Sequence, residues 1–316
     1  MNAIALLLTL LLLPTFTIQE CVVTLEFSYS FDGIREMRVV TADEEHLNSM
    51  GQRVRIYSNT QPRDEGGVLN WTIKNSSGDL RIEYKIISER FELWDFSGTI
   101  AEIPEGVRSA HMGQEYVNVS GVSILFIDPL DAEIRDKAEE LAGGEESVFL
   151  ASREIYDWIV ENIRYGNRAE AHPKPAAEVL MSRSGDCDEQ AALFISMVRS
   201  LGIPAFYMDG YVIDGEGVYR MGHAWSAVVM YSQGVERTFP VDTVYREFGI
   251  KRANKVFVDV GFWRDHMSNV YNDVRYWYED GSVPLVEYEV RCTDYVTSSS
   301  LRYDAVVDKE YADLLV

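Results

Sequence analysis

Three residues of this 316-residue sequence have the types and positions needed for covalent chemistry at a carbonyl. Cys187 directly follows Gly185-Asp186 and opens a segment in which Ala191, Phe194, Met197, Val198 and Leu201 recur at helical spacing. A thiol at a helix N-terminus meets partial positive charge and unpaired N–H groups, which favour thiolate over thiol and can receive an oxyanion. Gly185, just before it, lets a substrate approach closely. His223 stands in Gly222-His223-Ala224-Trp225 at the start of an apolar run. An imidazole beside a thiol can take its proton and return it to a leaving amine. Asp242 ends the run Phe239-Pro240-Val241-Asp242, where a carboxylate can fix the imidazole tautomer. Taken singly, each has an ordinary reading: a buried thiol, a hydrogen-bonded core histidine, a turn-forming aspartate. Their joint placement favours a nucleophile–base–orienter set. The same three side chains could also supply three zinc ligands with an open position. No C-x-x-C or H-x-x-x-H pair accompanies them, and neither a metal nor another cofactor is expected.

These residues need a helix and two neighbouring strands to meet. After Pro129 the spacing predicts a helix over Ile134, Ala138 and Leu141 that ends at Gly143-Gly144. A second helix, capped by Ser147, runs over Phe149, Ile155, Trp158, Ile159 and Ile163. A third spans Ala176 to Met181, and the Cys187 helix stops at Gly202-Ile203-Pro204. Strands follow over Ala205 to Val212, Ala224 to Tyr231 and Glu236 to Val241. The last two are joined across Ser232-Gln233-Gly234, which brings His223 and Asp242 side by side. Helices first and an antiparallel sheet afterwards give α+β architecture. Upstream, from Val22 to about Phe126, the pattern has period two, with turn signals at Asp32-Gly33, Gly66-Gly67 and Ser77-Gly78-Asp79. That predicts an antiparallel β-sandwich with no reaction centre of its own. The expected organisation is a leader over 1–19, the β-sandwich over 20–126, the α+β catalytic domain over 127–250 and a C-terminal extension packed on the core over 251–316.

Lys+Arg number 29 against 51 Asp+Glu, a net charge of −22, and no cluster of cations offsets it. A nucleic-acid partner is excluded. With 47% hydrophobic and 25% charged residues the chain is neither disordered throughout nor a polytopic membrane protein. Ala3 to Leu13 is apolar except for Thr9. It is too short to span a bilayer, which takes about 20 residues, and has the length of a signal-peptide core. The chain is therefore expected to be exported, with the segment cleaved or kept as an N-terminal membrane anchor; a buried first strand is the alternative. Cys21 and Cys292 lie near opposite ends of the mature chain and form a candidate disulfide, the alternative being two buried thiols. Ile18-Gln19-Glu20 before Cys21 do not resemble a lipobox. Sequons at Asn70, Asn75 and Asn118 are compatible with an exterior location.

Gly185-Asp186-Cys187-Asp188-Glu189-Gln190-Ala191-Ala192-Leu193-Phe194, with Arg199-Ser200-Leu201-Gly202-Ile203-Pro204-Ala205 after it, resembles the nucleophile region of the transglutaminase-like superfamily. Gly222-His223-Ala224-Trp225 and Pro240-Val241-Asp242-Thr243 follow in the order of its histidine and aspartate motifs. The resemblance spans about residues 130–245. It implies a papain-like transglutaminase core, with Cys187 as nucleophile, His223 as acid/base and Asp242 as orienter. Many relatives carry a tryptophan shortly before the aspartate motif, where this sequence has Thr238-Phe239. Phe239 could fill the same space, a change of packing and not of chemistry. The family's second oxyanion donor lies upstream of the cysteine; Tyr165 is the candidate, against the reading of a core tyrosine that ends the Trp158 helix. The expectation is a cysteine acyltransferase or hydrolase that attacks a peptide or protein substrate through a thioester. Transfer to water is favoured over transfer to an amine, which would crosslink proteins. The alternative is a cell-surface binding module with a residual triad.

Overall fold

The computed structural model describes residues 15–119, 122–166, 173–213, 219–260, 274–277 and 286–302. Alternation builds its first layer. Strand β1 (Thr15–Ala42) buries Cys21, Val23, Leu25, Phe27, Tyr29 and Phe31, while the residues between them stay at least partly exposed. That is the period of two that puts one face of a strand inside. β2 (Gln52–Ser58) and β3 (Val68–Glu89) extend the sheet, with β3 antiparallel to both β1 and β2.

The period then changes. A hairpin of β4 (Glu115–Val119) and β5 (Val122–Ile127) leads into helices α1 (Ala132–Ala142), α2 (Val148–Asn162), α3 (Ala176–Ser182) and α4 (Cys187–Ser200). Asp131 and Ser147 start the first two by accepting backbone N–H groups of the opening turn, the usual role of short polar caps. Strands β6 (Ala205–Ile213), β7 (Tyr219–Ser232), β8 (Val235–Asp242) and β9 (Lys255–Val260) form a second antiparallel sheet in the order β8-β7-β6-β9. The β7–β8 hairpin turns through Gln233 and Gly234, both at positive φ (55° and 77°), which matches the twist of the paired strands.

The second sheet is the middle of three layers. Ala224, Val228, Met230, Phe239 and Val241 pack with the helices. Phe206, Met208, Trp225, Ala227 and Val229 pack with β1 and β3. The sandwich expected for the N-terminal part therefore takes its second layer from the sheet that carries His223 and Asp242. Hydrogen bonds lock the two sheets together. The buried Gln52 amide donates to the Phe257 carbonyl at 2.8 Å and accepts the Phe257 N–H at 3.0 Å, and the Thr41 hydroxyl donates to the Val258 carbonyl at 3.0 Å.

Among the described residues, the segments after residue 250 are shared between both sheets. β9 forms the edge of the second sheet beside β6, whereas β10 (Val274–Trp277) and β11 (Val286–Arg302) pair with β1. This register corrects the expected disulfide. Cys292 lies opposite Leu25 and Cys21 opposite Thr297, so about 13 Å of strand separates Cys21 from the residue facing Cys292. A disulfide needs Cα atoms within about 7 Å. Asn70 is only 3% exposed, with its amide donating to Glu65 and its oxygen accepting from Thr72, so it does not carry a glycan. The side chains of Asn75 and Asn118, and the apolar run from Ala3 to Leu13, lie outside the described residues. β1 begins at Thr15, inside the expected leader. No helix among the described residues is long and apolar enough to cross a membrane.

At the seam between the sheets Lys251 is completely buried (0% exposed), its ammonium donating to Ser88 Oγ at 2.7 Å, the Lys255 carbonyl at 3.2 Å and the Glu89 carbonyl at 3.3 Å. Burial, with the Lys255 charge, lowers its pKa from 10.5 to about 7. Between these values the unfolded chain holds a proton that the folded chain has released, so this group makes stability rise with pH. Urea unfolding of wild type and Lys251→Met from pH 7 to 9.5 should show wild type gaining on the variant by on the order of 3 kcal/mol. Parallel pH dependence of the two proteins would assign the titration elsewhere.

Candidate active site

Helix α4 starts at a doubly closed cap. The Asp186 carboxylate accepts the Glu189 N–H at 3.3 Å and the Glu189 carboxylate accepts the Asp186 N–H at 3.1 Å, a reciprocal capping box. Glu189 also accepts the Lys174 N–H at 2.8 Å, and the Gln190 amide donates to the Gly185 carbonyl at 2.9 Å. The backbone around Cys187 is thereby fixed. A Cβ on Gly185 would come within 3.0 Å of Glu189 Cβ and of a Val179 methyl. This glycine therefore permits close packing at the cap, a role the sequence reading had given to substrate approach. The first N–H groups of α4, at Cys187 and Asp188, have no intrahelical acceptor. Arg164-Tyr165 runs parallel to Ser184-Gly185, with Tyr165 beside Gly185. Its ring is 52% exposed, so Tyr165 borders the nucleophile loop and is not a core tyrosine.

Strands β7 and β8 are neighbours, with Ser226 opposite Val241. This register sets His223 beside Asp242, both buried, with Nε2 and Oδ2 2.7 Å apart. His223 also lies opposite Gly210 of β6. A Cβ on Gly210 would fall 2.0 Å from the Val256 carbonyl oxygen, so only glycine lets β9 pass behind the histidine. Trp225 stacks on the imidazole at 5.7 Å and Tyr245 meets it edge-on at 4.7 Å.

Asp242 is surrounded by donors. Its Oδ1 accepts the Val244 and Tyr245 N–H groups at 3.0 and 2.9 Å, and its Oδ2 accepts from His223 and from the buried Lys255 ammonium. Burial alone would raise the Asp242 carboxyl, but the Lys255 and His223 interactions override it and hold the group well below the usual carboxylate range. An ionised carboxylate only accepts. The His223 nitrogen facing it, Nε2, therefore carries a hydrogen, and in the neutral ring Nδ1 keeps the lone pair.

The Cys187 thiol donates to Asp188 Oδ1 at 3.3 Å, and the Tyr207 hydroxyl donates to the same oxygen at 3.1 Å. The backbone N–H of Ala224, next to His223, is bonded to the Cys187 sulfur. Among the described residues no hydrogen bond joins Cys187 directly to His223. Burial pushes the thiol well above its ordinary value, the Asp188 and Asp186 carboxylates push it further, and only the Ala224 N–H pulls it back. The thiolate expected from the helix N-terminus is thus not the resting form. A dipole effect of about 0.3–1 kcal/mol loses to desolvation and two carboxylates. The ligand atoms of Asp186, Cys187 and Asp188 also lie within 4.8 Å of one another, but the cap and the Asp188 hydrogen bonds account for that cluster.

Sequence reasoning missed Lys255, Tyr245, Asp188 and Tyr207. The acid directly after the cysteine was the one visible signal. Lys255 precedes an ordinary apolar strand, and Tyr207 is one aromatic among many. Phe239 is fully buried between Phe149 and Phe248.

A candidate cysteine protease from Cytophaga hutchinsonii, known from its crystal structure, shares the fold with a TM-score of 0.56 and 14% identity, covering 93% of this chain and 97% of that chain. The periplasmic domain of TgpA from Pseudomonas aeruginosa aligns more loosely, with a TM-score of 0.40 and 14% identity over 73% of this chain and 89% of that chain. No curated protein matches the chain. Residues 135–239 match the transglutaminase-like superfamily; with Cys187 and His223 inside that span and Asp242 just beyond it, the chain carries a transglutaminase-like core of the cysteine hydrolase and transferase kind.

Proposed function

We propose that this protein is an exported cysteine hydrolase that cleaves amide bonds of peptides or proteins, with Cys187 as nucleophile, His223 as acid and base and Asp242 as orienter. The observation that carries this reading is the buried His223–Asp242 pair, at 2.7 Å, adjoining the Ala224 N–H that holds the Cys187 sulfur. Rotation of Cys187 about χ1 exchanges Asp188 for His223 Nδ1 as acceptor of the thiol hydrogen. The proton passes to Nδ1 as sulfur bonds to the amide carbonyl carbon. The first N–H groups of α4 receive the oxyanion, with Tyr165 as the second donor. Nδ1–H then protonates the amine as the C–N bond breaks and leaves a thioester. Water, deprotonated by Nδ1, attacks the thioester, releases the acid and restores the thiol. Water is the acceptor that needs no dedicated site, which favours hydrolysis over protein crosslinking. Export rests on the apolar run from Ala3 to Leu13.

One observation favours a second reading, a cell-surface binding module with a residual triad: the buried thiol is turned to Asp188, whose carboxylate disfavours the thiolate. Two experiments separate the readings. Incubation with an unstructured protein such as casein, followed by mass spectrometry, should give cleavage products from wild type. Cys187→Ala and His223→Gln should lose at least about 10³-fold in rate, and Tyr165→Phe about 10-fold or more in kcat. A wild type without cleavage, deamidation or isopeptide products moves the binding module to the front. Isopeptide products alone would instead make the enzyme a crosslinker.

The thiol itself gives the second test. Wild-type Cys187 should react slowly with iodoacetamide at pH 7.5. Asp188→Asn removes the carboxylate that raises the thiol, so its alkylation at that pH should be faster by about tenfold for each unit that the thiol falls. Equal rates would mean that Asp188 does not hold the thiol protonated.

A further inference from the structure

Only seven lysines occur in the chain, yet two of them, Lys251 and Lys255, are buried. Lysine is among the residues least often found inside. Lys255 opens β9 and is 2% exposed. Its ammonium bonds Asp242 Oδ2, the oxygen that His223 uses, and also Glu247 Oε2. It lies 4.9 Å over the Tyr245 ring and 5.5 Å over the Trp225 ring. Those same two rings wall the imidazole. Cation and imidazole therefore share one carboxylate oxygen and one aromatic enclosure. The backbone that carries Lys255 is itself tied down, because Lys251 spans from the Lys255 carbonyl to Ser88 of β3.

We propose that Lys255 is a positioning residue for the reaction at Cys187, which fixes the Asp242 carboxylate toward His223 and offsets the negative charge that the carboxylate presents to the imidazole. The inference rests on the reading of His223 as acid and base. A buried carboxylate alone favours the imidazolium and drives the histidine pKa up. A histidine held as imidazolium cannot take the thiol proton. A cation on the same oxygen counters that pull. Glu247 in turn compensates Lys255, and Arg252 pairs with Glu247. Among the described residues, the other titratable and charged groups near the pair include Cys187 on the Ala224 N–H beside His223, Tyr245 against the imidazole, Tyr156 on the Asp242 side with Arg246 beyond it, and Lys251 near Lys255.

Histidine NMR on the full chain tests this without requiring turnover. Five histidines are present, and His223→Gln assigns the one that matters. Lys255→Met should raise the His223 pKa by about one unit or more. Glu247→Gln leaves the ammonium uncompensated and should lower it. Opposite shifts are the signature, because loosened packing alone has no reason to move the two variants in opposite directions. In casein cleavage, the alkaline shift in Lys255→Met should appear in the pH profile of kcat with KM little changed. A Lys255→Met titration within about 0.3 unit of wild type, or shifts of the same sign in both variants, would overturn the proposal. Should Lys255→Met fail to fold, Glu247→Gln decides alone: a lowered pKa supports the role, and an unchanged or raised one rejects it. Failure of the hydrolase reading looks different. Wild type would then cleave nothing while the opposite histidine shifts remained.

Discussion

The Asp242 carboxylate is the constraint around which the catalytic half is arranged. An anion that is 2% exposed is tolerated only if donors replace the water it has lost. Four donors do so here, from three features of the chain. The turn after β8 supplies the Val244 and Tyr245 N–H groups, β7 supplies His223, and β9 supplies Lys255. The third feature has the widest consequences. The chain must leave the β7–β8 hairpin and return along the far edge of β6 to deliver Lys255. To pass there it needs Gly210, whose place no larger residue can take. Removing one partner of such a buried pair costs about 3–5 kcal/mol, comparable with the net stability of many domains.

The N-terminal sheet meets the same requirement from the other side. Phe206, Met208, Trp225 and Val229 point away from the helices and would face water without β1 and β3 over them. Burying side chains of this size contributes about 1.5–3 kcal/mol each, so covering them is a condition of folding. Gln52 satisfies both backbone groups of Phe257, and Lys251 reaches across to Ser88. A sheet that holds no reacting group thus fixes the strand that carries the counter-ion of Asp242.

Features carried by local periodicity and end signals were legible from the sequence. Helices α1 to α4 and strands β6 to β8 fall where the spacing of Ile134, Ile155 and Phe194, the span Ala176 to Met181 and the Gln233-Gly234 turn put them. The adjacency of His223 and Asp242 follows from that hairpin. Features set by long-range register were not legible. Nothing local indicates that β11 aligns Cys292 with Leu25, or that the tail divides between two sheets. Electrostatics failed for a related reason. The helix N-terminus is visible in Gly185-Asp186-Cys187, and its effect on a thiol is a sound generalisation. Its balance against burial depends on how far Ala224, Tyr207 and Asp188 enclose the sulfur, and that is fixed by residues far along the chain.

Three acids crowd the start of α4: Asp186, Asp188 and Glu189. All suit the helix, since negative charge near its N-terminus is stabilising, but they do not affect the thiol equally. Asp186 and Glu189 turn their oxygens to backbone N–H groups of the cap. Asp188 takes the thiol hydrogen and is steadied there by Tyr207. The sequence that secures the helix therefore also sets a carboxylate against the Cys187 thiol. The sulfur thus sits between a carboxylate of its own helix and the Ala224 N–H of the strand that carries His223, and these two neighbours act on the thiol in opposite directions.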